Sequence, residues 1–301
     1  MFENITIIGC GLIGSSILRA INKSKQCEQV SVYDKSEKVL SYLKKENLCL
    51  NVFSDIKNAV KNADLIIIAV PLSSYNDVLL SIKNTLKKNI ILSDVGSAKK
   101  NVNKIIENFN IKNIDWIASH PIAGTEDSGP KSGFAELFEN RWCILSPSNN
   151  SKKVNIQKLQ KFWEELGSQV KVMSFEEHDY ILSLTSHLPH AIAYNIVRTS
   201  INNGDKFRKD IIQYSAGGLR DFTRIAASDP IMWRDIFIDN SDNILKALDA
   251  FSVNLEELKK AIKDKDSDKL INIFSSTKEV RKEIIKAGQD TDKSDFGRKK
   301  S

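Results

Sequence analysis

The sequence lacks any apolar run of the roughly 18 residues that a membrane-spanning helix requires. Its first residues show no basic segment followed by an apolar one, so we expect no secretory signal. Only 4 cysteines occur, and no two lie at the short spacing of a zinc motif or a secreted disulfide framework. We therefore predict a soluble, metal-free protein in the reducing cytoplasm, without a membrane partner.

A dense patch of one charge sign is also missing. The chain has 44 Lys and Arg against 38 Asp and Glu, and its net charge of +6 comes mostly from scattered lysines. Because nucleic-acid binding requires a clustered basic surface, we expect no nucleic-acid partner. The 41% hydrophobic and 27% charged residues are typical of globular proteins, and 301 residues suit two domains.

The first 150 residues alternate short β-branched runs with amphipathic stretches of helical length. This alternation predicts an α/β domain at residues 1–150, in which helices cover both faces of a mostly parallel, doubly wound sheet. The predicted strands are Ile5–Ile8, Val30–Tyr33, Leu65–Val70, Ile90–Leu92, Trp116–Ala118 and Trp142–Leu145.

The pattern changes at the polar, turn-forming stretch 146–151. Apart from a short strand at Val170–Met173, the rest reads as helix, so we predict an all-α domain at 151–287 and a charged, disordered tail at 288–301. From Ile244 to Ile262 the apolar residues recur with gaps of 4, 3, 4, 3 and 4. This stripe predicts packing against a helix of the same chain or of a second subunit.

A glycine-rich turn, Gly9–Gly14, follows the first predicted strand and opens a helix. Gly9 permits the tight turn, Gly11 lets a pyrophosphate approach the backbone, and Gly14 lets helix and strand pack closely. Asp34 ends the second strand 20 residues after Gly14, the spacing of an acid that binds the adenosine ribose. The motif predicts an NAD site that includes Leu12 and Ile13; the alternative is an ordinary turn, with Asp34 capping the next helix.

Further candidates follow later strands, whose carboxyl ends border the ligand crevice of an open parallel sheet. Val70, Pro71, Ser73 and Ser74 are expected to line the cofactor site, or to form a plain turn. His120 ends another strand, where a histidine can take a proton from an alcohol while hydride leaves the same carbon. A buried structural histidine is the alternative.

An unperturbed imidazole titrates near about pH 6.5, so activity that depends on His120 is expected to fall through that region unless the site shifts the pKa. Ser97 can bind the same hydroxyl or cap the following helix. In the helical half, Pro189 is expected to interrupt a helix between His187 and His190, and nearby acids do not complete a metal site. Arg224 is either a carboxylate clamp or a surface ion pair.

Together these segments resemble the prephenate and arogenate dehydrogenases of tyrosine biosynthesis. The matching stretches lie in the family's order across about 220 residues: Gly9–Ser16, Asp94–Lys99, Ser119–Gly129, Ser186–His190 and Gly217–Asp235. The resemblance implies a Rossmann domain that binds NAD, a helical domain that forms a homodimer, and a substrate site between the two.

The resemblance also implies roles for individual residues. His120 would polarise the ring hydroxyl during hydride transfer, Ser97 and His190 would orient the substrate, and Arg224 would bind its carboxylate. Further substrate contacts are implied for Thr125, Gly217, Asp221 and Trp233. Some members carry a further regulatory or mutase domain, for which about fourteen residues after 287 are too few, so we expect any tyrosine inhibition at the active site.

Two other functions stay open on the residues alone. A related two-domain dehydrogenase would act on a 3-hydroxy acid, normally with a catalytic lysine in its helical domain, and no lysine stands out there. A dinucleotide-sensing protein would bind NAD without turnover. The production of NADH from prephenate or arogenate distinguishes the three.

Overall fold

An eight-stranded sheet organises the N-terminal part of the protein, and its strand order is β3-β2-β1-β4-β5-β6-β7-β8. The computed structural model describes residues 2–25, 27–111, 114–125, 127–202 and 207–287. The strands are β1 (Phe2–Ile8), β2 (Cys27–Tyr33), β3 (Asn51–Phe53), β4 (Leu65–Ile68), β5 (Ile90–Asp94), β6 (Ile114–Pro121), β7 (Trp142–Pro147) and β8 (Gln169–Val172). Strands β1 to β6 run parallel, whereas β7 is antiparallel to β6, so the predicted mostly parallel sheet is confirmed.

Helices cover both faces of this sheet. They are α1 (Leu12–Ser24), α2 (Glu37–Lys45), α3 (Ile56–Val60), α4 (Tyr75–Ile82), α5 (Lys100–Phe109) and α6 (Lys153–Glu165). Alternate residues of β4 point into different cores: Leu65 and Ile67 into one, Ile66 and Ile68 into the other. Burial on both faces explains why this strand is apolar throughout. Because β1 lies between β2 and β4, the strand order reverses at β1, where α/β sheets place their ligand crevice.

Two features of the sheet differ from the sequence-based expectation. Strand β3 was not predicted, since its three residues carry too little pattern to identify a strand. The sheet also continues past residue 150, because β8 pairs with β7. The polar stretch 146–151 is therefore the connection between β7 and α6 within this sheet-forming region, since a turn-forming composition marks any loop.

After β8 the regular elements within the described ranges are all helical, as predicted. The helices are α7 (Phe175–Leu182), α8 (Leu188–Asn202), α9 (Arg208–Gln213), α10 (Gly217–Thr223), α11 (Pro230–Asp239), α12 (Ser241–Lys263) and α13 (Ser267–Lys286). The internal contacts divide the chain after Ile244 into two compact units. No helix within the described ranges is both long and apolar enough to cross a membrane. The predicted tail at 288–301 lies outside the described residues.

Pro189 does not break the helix. A π-helical turn, Ser183–His187, joins α7 to α8, and Pro189 lies just after it. Proline has no backbone N–H to donate and crowds the preceding turn, and a wider π-helical turn relieves both problems. The helical path therefore continues, and His187 and His190 stay close together.

Candidate active site

The glycine-rich turn Gly9–Gly14 forms a backbone cradle, and a side chain in place of Gly9 or Gly14 would collide with neighbouring atoms. At Gly9, where φ is +91°, a Cβ would lie 2.6 Å from the carbonyl oxygen of Ala69, and at Gly14 it would collide with the carbonyl oxygen of Gly9. Gly11 has open space where its Cβ would be, just before α1 begins at Leu12. An open backbone at a helix N-terminus fits a pyrophosphate.

A cavity of about 330 Å³ lies beside this cradle. Among the residues predicted for the cofactor, it is lined by Gly9, Gly11, Asp34, Val70, Pro71 and Ser74. Leu12 and Ile13 are half-buried in the first turn of α1, and Gly14 lies buried in the same turn. Ser73 instead donates its backbone N–H to the carboxylate of Asp235, 3.0 Å away on α11.

Asp34 holds the turn as well as facing the cavity. One carboxylate oxygen accepts the backbone N–H of Cys10 at 2.8 Å, and the other accepts that of Ser36 at 2.8 Å. The N-cap residue of α2 is Ser36, so Asp34 does not itself cap that helix, whereas its bond to Cys10 joins it to the glycine-rich turn. Both hydrogen bonds fix the carboxylate at the cavity wall.

His120 lies buried near the end of β6 and is hydrogen-bonded to a histidine that is distant in sequence. Its Nδ1 is 2.8 Å from Nε2 of His178 on α7. Nδ1 of His178 is in turn 2.8 Å from Oδ1 of Asp179. This contact leaves Nε2 as the ring nitrogen of His120 that is not bonded to His178.

Asp179 also caps helix α5. Its two carboxylate oxygens accept the backbone N–H groups of Lys99 and Lys100, at 2.8 and 2.9 Å. Since this cap comes from α7 and the N-cap residue of α5 is Lys99, Ser97 does not cap the helix. Ser97 is half-buried in the turn that follows β5.

A buried ion pair lies under the same turn. Nζ of Lys99 is 2.7 and 2.8 Å from the carboxylate oxygens of Asp94, and the Tyr75 hydroxyl donates to the same carboxylate at 2.7 Å. Burial lowers the pKa of Lys99, while Asp94 opposes this effect. The pair places a positive charge near His120, whose pKa Lys99 helps to lower.

A second group of predicted residues lies around His190 on α8. Its ring stacks on Trp233 with centroids 3.6 Å apart and an interplanar angle of 22°. Its Nδ1 donates to the backbone carbonyl of Ser186 at 2.8 Å, so its Nε2 carries the lone pair. Burial lowers the pKa of His190, the hydrogen bond to Ser186 opposes this effect, and the positive charge of Arg224 lowers the pKa further.

The remaining predicted substrate residues lie on more exposed segments. Thr125 accepts the backbone N–H of Asp127 at 3.3 Å in the loop after β6. Gly217 begins α10, and Asp221 lies one turn later in the same helix.

All four histidines of the chain have pKa values below that of a free imidazole. Burial is the main cause in each case, because it penalises the charged ring. Burial holds the pKa of His120 well below 6.5, and electrostatic interactions with His178, Lys99 and His187 lower it further. The pKa of His187 is lowered to about 4. His120 is therefore neutral at physiological pH, as a general base must be.

Sequence reasoning did not identify His178 and Asp179 as part of this site. Within the described ranges, no three His, Cys, Asp or Glu side chains are grouped to hold a metal ion. The signal available was a His-Asp pair early in a helix with a capping box, and that pattern alone does not indicate which strand the pair contacts.

Two family models match the chain. Residues 17–172 match the nucleotide-binding domain of prephenate dehydrogenase, and residues 174–276 match the dimerization domain of the same family. The two matches meet just after β8, the last strand of the sheet.

The chain is also similar to individual dehydrogenases, both in sequence and in structure. The chain is 42% identical to a cyclohexadienyl dehydrogenase of Zymomonas mobilis, over 93% of this chain and 96% of that protein. It is 31% identical to the prephenate dehydrogenase of Bacillus subtilis, over 93% of this chain and 76% of that protein. A crystal structure of prephenate dehydrogenase from Aquifex aeolicus, in complex with hydroxyphenyl propionate and NAD⁺, superposes with a TM-score of 0.87 at 31% identity, covering 94% of this chain and 99% of that one.

Proposed function

The chain belongs to the prephenate dehydrogenase family, and on that basis we propose that it catalyses the NAD-dependent oxidative decarboxylation of prephenate, arogenate or both. The product is 4-hydroxyphenylpyruvate from prephenate and tyrosine from arogenate, so the enzyme serves tyrosine biosynthesis. The observation that carries the proposal is His120, a neutral buried histidine at the carboxyl end of β6 with only its Nδ1 bound to His178.

The cradle at Gly9–Gly14 and the adjoining cavity fit the dinucleotide. Gly11 offers open backbone to the pyrophosphate, and Asp34 offers a fixed carboxylate to the adenosine ribose. NAD⁺, when bound, supplies the acceptor for the hydride that leaves C4 of the substrate ring. Val70 and Pro71 form the wall of the same cavity.

His120 is the group that handles the substrate proton. Its Nε2 accepts the proton of the ring hydroxyl as C4 becomes electron-poor, and it returns this proton to the oxygen when the ring becomes aromatic. The electrons of the C1–carboxylate bond enter the ring, and the carboxylate leaves as CO₂. The proton count therefore balances without any net release of a proton.

The other predicted residues position the substrate. Arg224 binds a substrate carboxylate through its planar guanidinium, and His190, stacked on Trp233, presents Nε2 as an acceptor for a substrate hydroxyl. Ser97 contacts the reacting hydroxyl from the turn after β5. Thr125, Gly217 and Asp221 remain substrate residues only by resemblance to the family.

Incubating the purified protein with NAD⁺ and either prephenate or arogenate tests this function. We expect the absorbance of NADH to increase with one or both substrates. The ratio of the two kcat/KM values gives the substrate preference. A 3-hydroxy-acid dehydrogenase would reduce NAD⁺ only with a 3-hydroxy acid. A dinucleotide sensor would bind NAD⁺ and form no NADH with any of these compounds.

Replacing Asp34 by serine should narrow the preference for NAD over NADP. The variant removes a charge that repels the 2′-phosphate and weakens a charge-assisted bond to the ribose, so we expect about a tenfold or larger change in the ratio of the kcat/KM values, mainly through KM. Asp34→Asn is the matched control, since it removes only the charge and keeps an acceptor for Cys10. A wild-type enzyme that already uses both cofactors equally would show that Asp34 does not select between them.

We also propose that the enzyme is a cytoplasmic homodimer, formed through its helical domain. The match to a dimerization domain supports this, as do apolar side chains of α12 and α13 that are exposed in the single chain: Leu255, Ile262, Ile271 and Phe274. Sedimentation at micromolar concentration should give twice the mass of one chain. A stable monomer at that concentration would rule the homodimer out.

A further inference from the structure

Hydrogen bonds connect Asp179 through His178 to His120, and the first two of these side chains are almost completely buried. His178 is 0% exposed and Asp179 is 1% exposed, whereas His120 retains 9%. Both hydrogen bonds are 2.8 Å long. Helix α7 holds His178 and Asp179 in place because it packs against α5 and β7.

Asp179 fixes the direction of these hydrogen bonds. Its oxygens accept two backbone N–H groups at the start of α5, where the helix dipole also favours an anion. A carboxylate in this position is an acceptor only, so Nδ1 of His178 must carry a hydrogen and donate it. The neutral His178 ring then has a lone pair on Nε2.

The same reasoning extends to His120. Since Nε2 of His178 is an acceptor, Nδ1 of His120 carries the hydrogen and donates it across the 2.8 Å contact. A neutral imidazole has only one N–H, so Nε2 of His120 carries the lone pair. This is the nitrogen that a base for the substrate hydroxyl requires.

We propose that His178 and Asp179 are positioning residues, which hold His120 as its Nδ1–H tautomer and so keep Nε2 unprotonated toward the substrate. This inference rests on the proposed function. When Nε2 takes the hydroxyl proton, the Nδ1 proton of His120 shifts toward Nε2 of His178, and the Nδ1–H of His178 stays bonded to Asp179. Both proton movements reverse when the proton returns to the aromatic product. The three hydrogen-bonded side chains therefore hold one additional proton during the reaction and release none.

The alternative is that His178 only fills space beneath β6. Two variants separate the two roles, because Gln and Leu have related sizes and differ in their hydrogen bonding. In His178→Gln, the side-chain carbonyl can take the place of Nε2 and accept from His120. In His178→Leu, no acceptor is left.

Nitrogen NMR of protein labelled with ¹⁵N-histidine reads the tautomer directly. The chain has only 4 histidines, and the His120 signals are identified by their loss in His120→Asn. In the resting wild type we expect a protonated Nδ1 and an unprotonated Nε2 for His120, retained in His178→Gln and lost in His178→Leu. A protonated Nε2 on His120 in the neutral wild-type enzyme would overturn the proposal.

Steady-state kinetics supply the second test. We expect His178→Leu to lower kcat by about 10- to 10³-fold with little change in either KM, because the wrong tautomer of a base removes turnover and spares binding. His178→Gln should recover at least about tenfold of that loss. Equal losses in the two variants would assign His178 to packing. If wild-type protein forms no NADH from either substrate, the proposed function fails, and the NMR result still decides the tautomer.

Discussion

Replacing His120 by asparagine should lower kcat by about 10²- to 10⁴-fold, the usual contribution of a general base. The structure explains why this variant is a clean one. The Asn amide nitrogen takes the place of Nδ1 and can still donate to Nε2 of His178, so the buried contact survives. Only Nε2, the atom that accepts the hydroxyl proton, is lost.

Affinity for NAD⁺ and thermal stability serve as controls for this variant. Both should stay close to the wild type, since His120 does not line the cavity beside the glycine-rich turn. A His120→Asn enzyme that retains most of its turnover would show that another group is the base. His190, with its free Nε2 lone pair, would be the next residue to replace.

The pH profile gives an independent test of His120. Burial, followed by electrostatic interactions with His178, Lys99 and His187, holds its pKa well below 6.5. A lowered pKa keeps the base neutral in more acidic solution, so kcat should stay level as the pH falls through 6.5 and decline only well below that value. The fall near 6.5 expected for an unperturbed imidazole is thereby moved to lower pH, and it should be absent from the His120→Asn profile.

Acid unfolding must be separated from this effect. The pKa of His187 is about 4 in the folded protein against 6.5 for the free group, so the unfolded state binds more protons between these values. Stability is therefore lost as the pH falls through 6.5 toward 4, by about 2 kcal/mol at pH 5 from this residue alone. Enzyme held at low pH and assayed at neutral pH should regain its activity if the profile reports the base.

Replacing Arg224 by glutamine should raise the KM of the substrate strongly. Loss of one partner of a charge-assisted carboxylate pair costs about 2–5 kcal/mol, which corresponds to a rise of roughly 30-fold to several thousandfold. NAD⁺ binding should be unaffected, because the glycine-rich turn and Asp34 follow the carboxyl ends of β1 and β2, whereas Arg224 follows α10. The measurement is KM for prephenate and arogenate at saturating NAD⁺.

Arg208→Gln is the matched control for loss of a positive charge. Arg208 is an exposed arginine at the start of α9, and its replacement should leave both KM values near those of the wild type. If Arg224→Gln also leaves the KM of both substrates unchanged, Arg224 belongs to a surface ion pair, the alternative that its sequence context allows.

Local patterns were sufficient to predict the parallel sheet, except its short strand β3 and its extension to β8, and the glycine-rich turn. The apolar run of β4 indicates a strand covered on both faces, and the spacing of Gly9, Gly11, Gly14 and Asp34 lies within one βαβ unit. Such features depend on contacts between residues near in sequence, so a single segment contains the information. The family resemblance added His120, His190 and Arg224 as residues of one site.

Only the tertiary structure decided how His120 is held. His178 lies 58 positions away in the chain, and its contact with His120 depends on α7 packing against α5 and β7. The extent of the sheet was decided in the same way, because β8 joins it by pairing with β7 across a helix. Neither contact leaves a local pattern in the sequence: the sequence determines which side chains can accept or carry a proton, and long-range packing determines which of them meet.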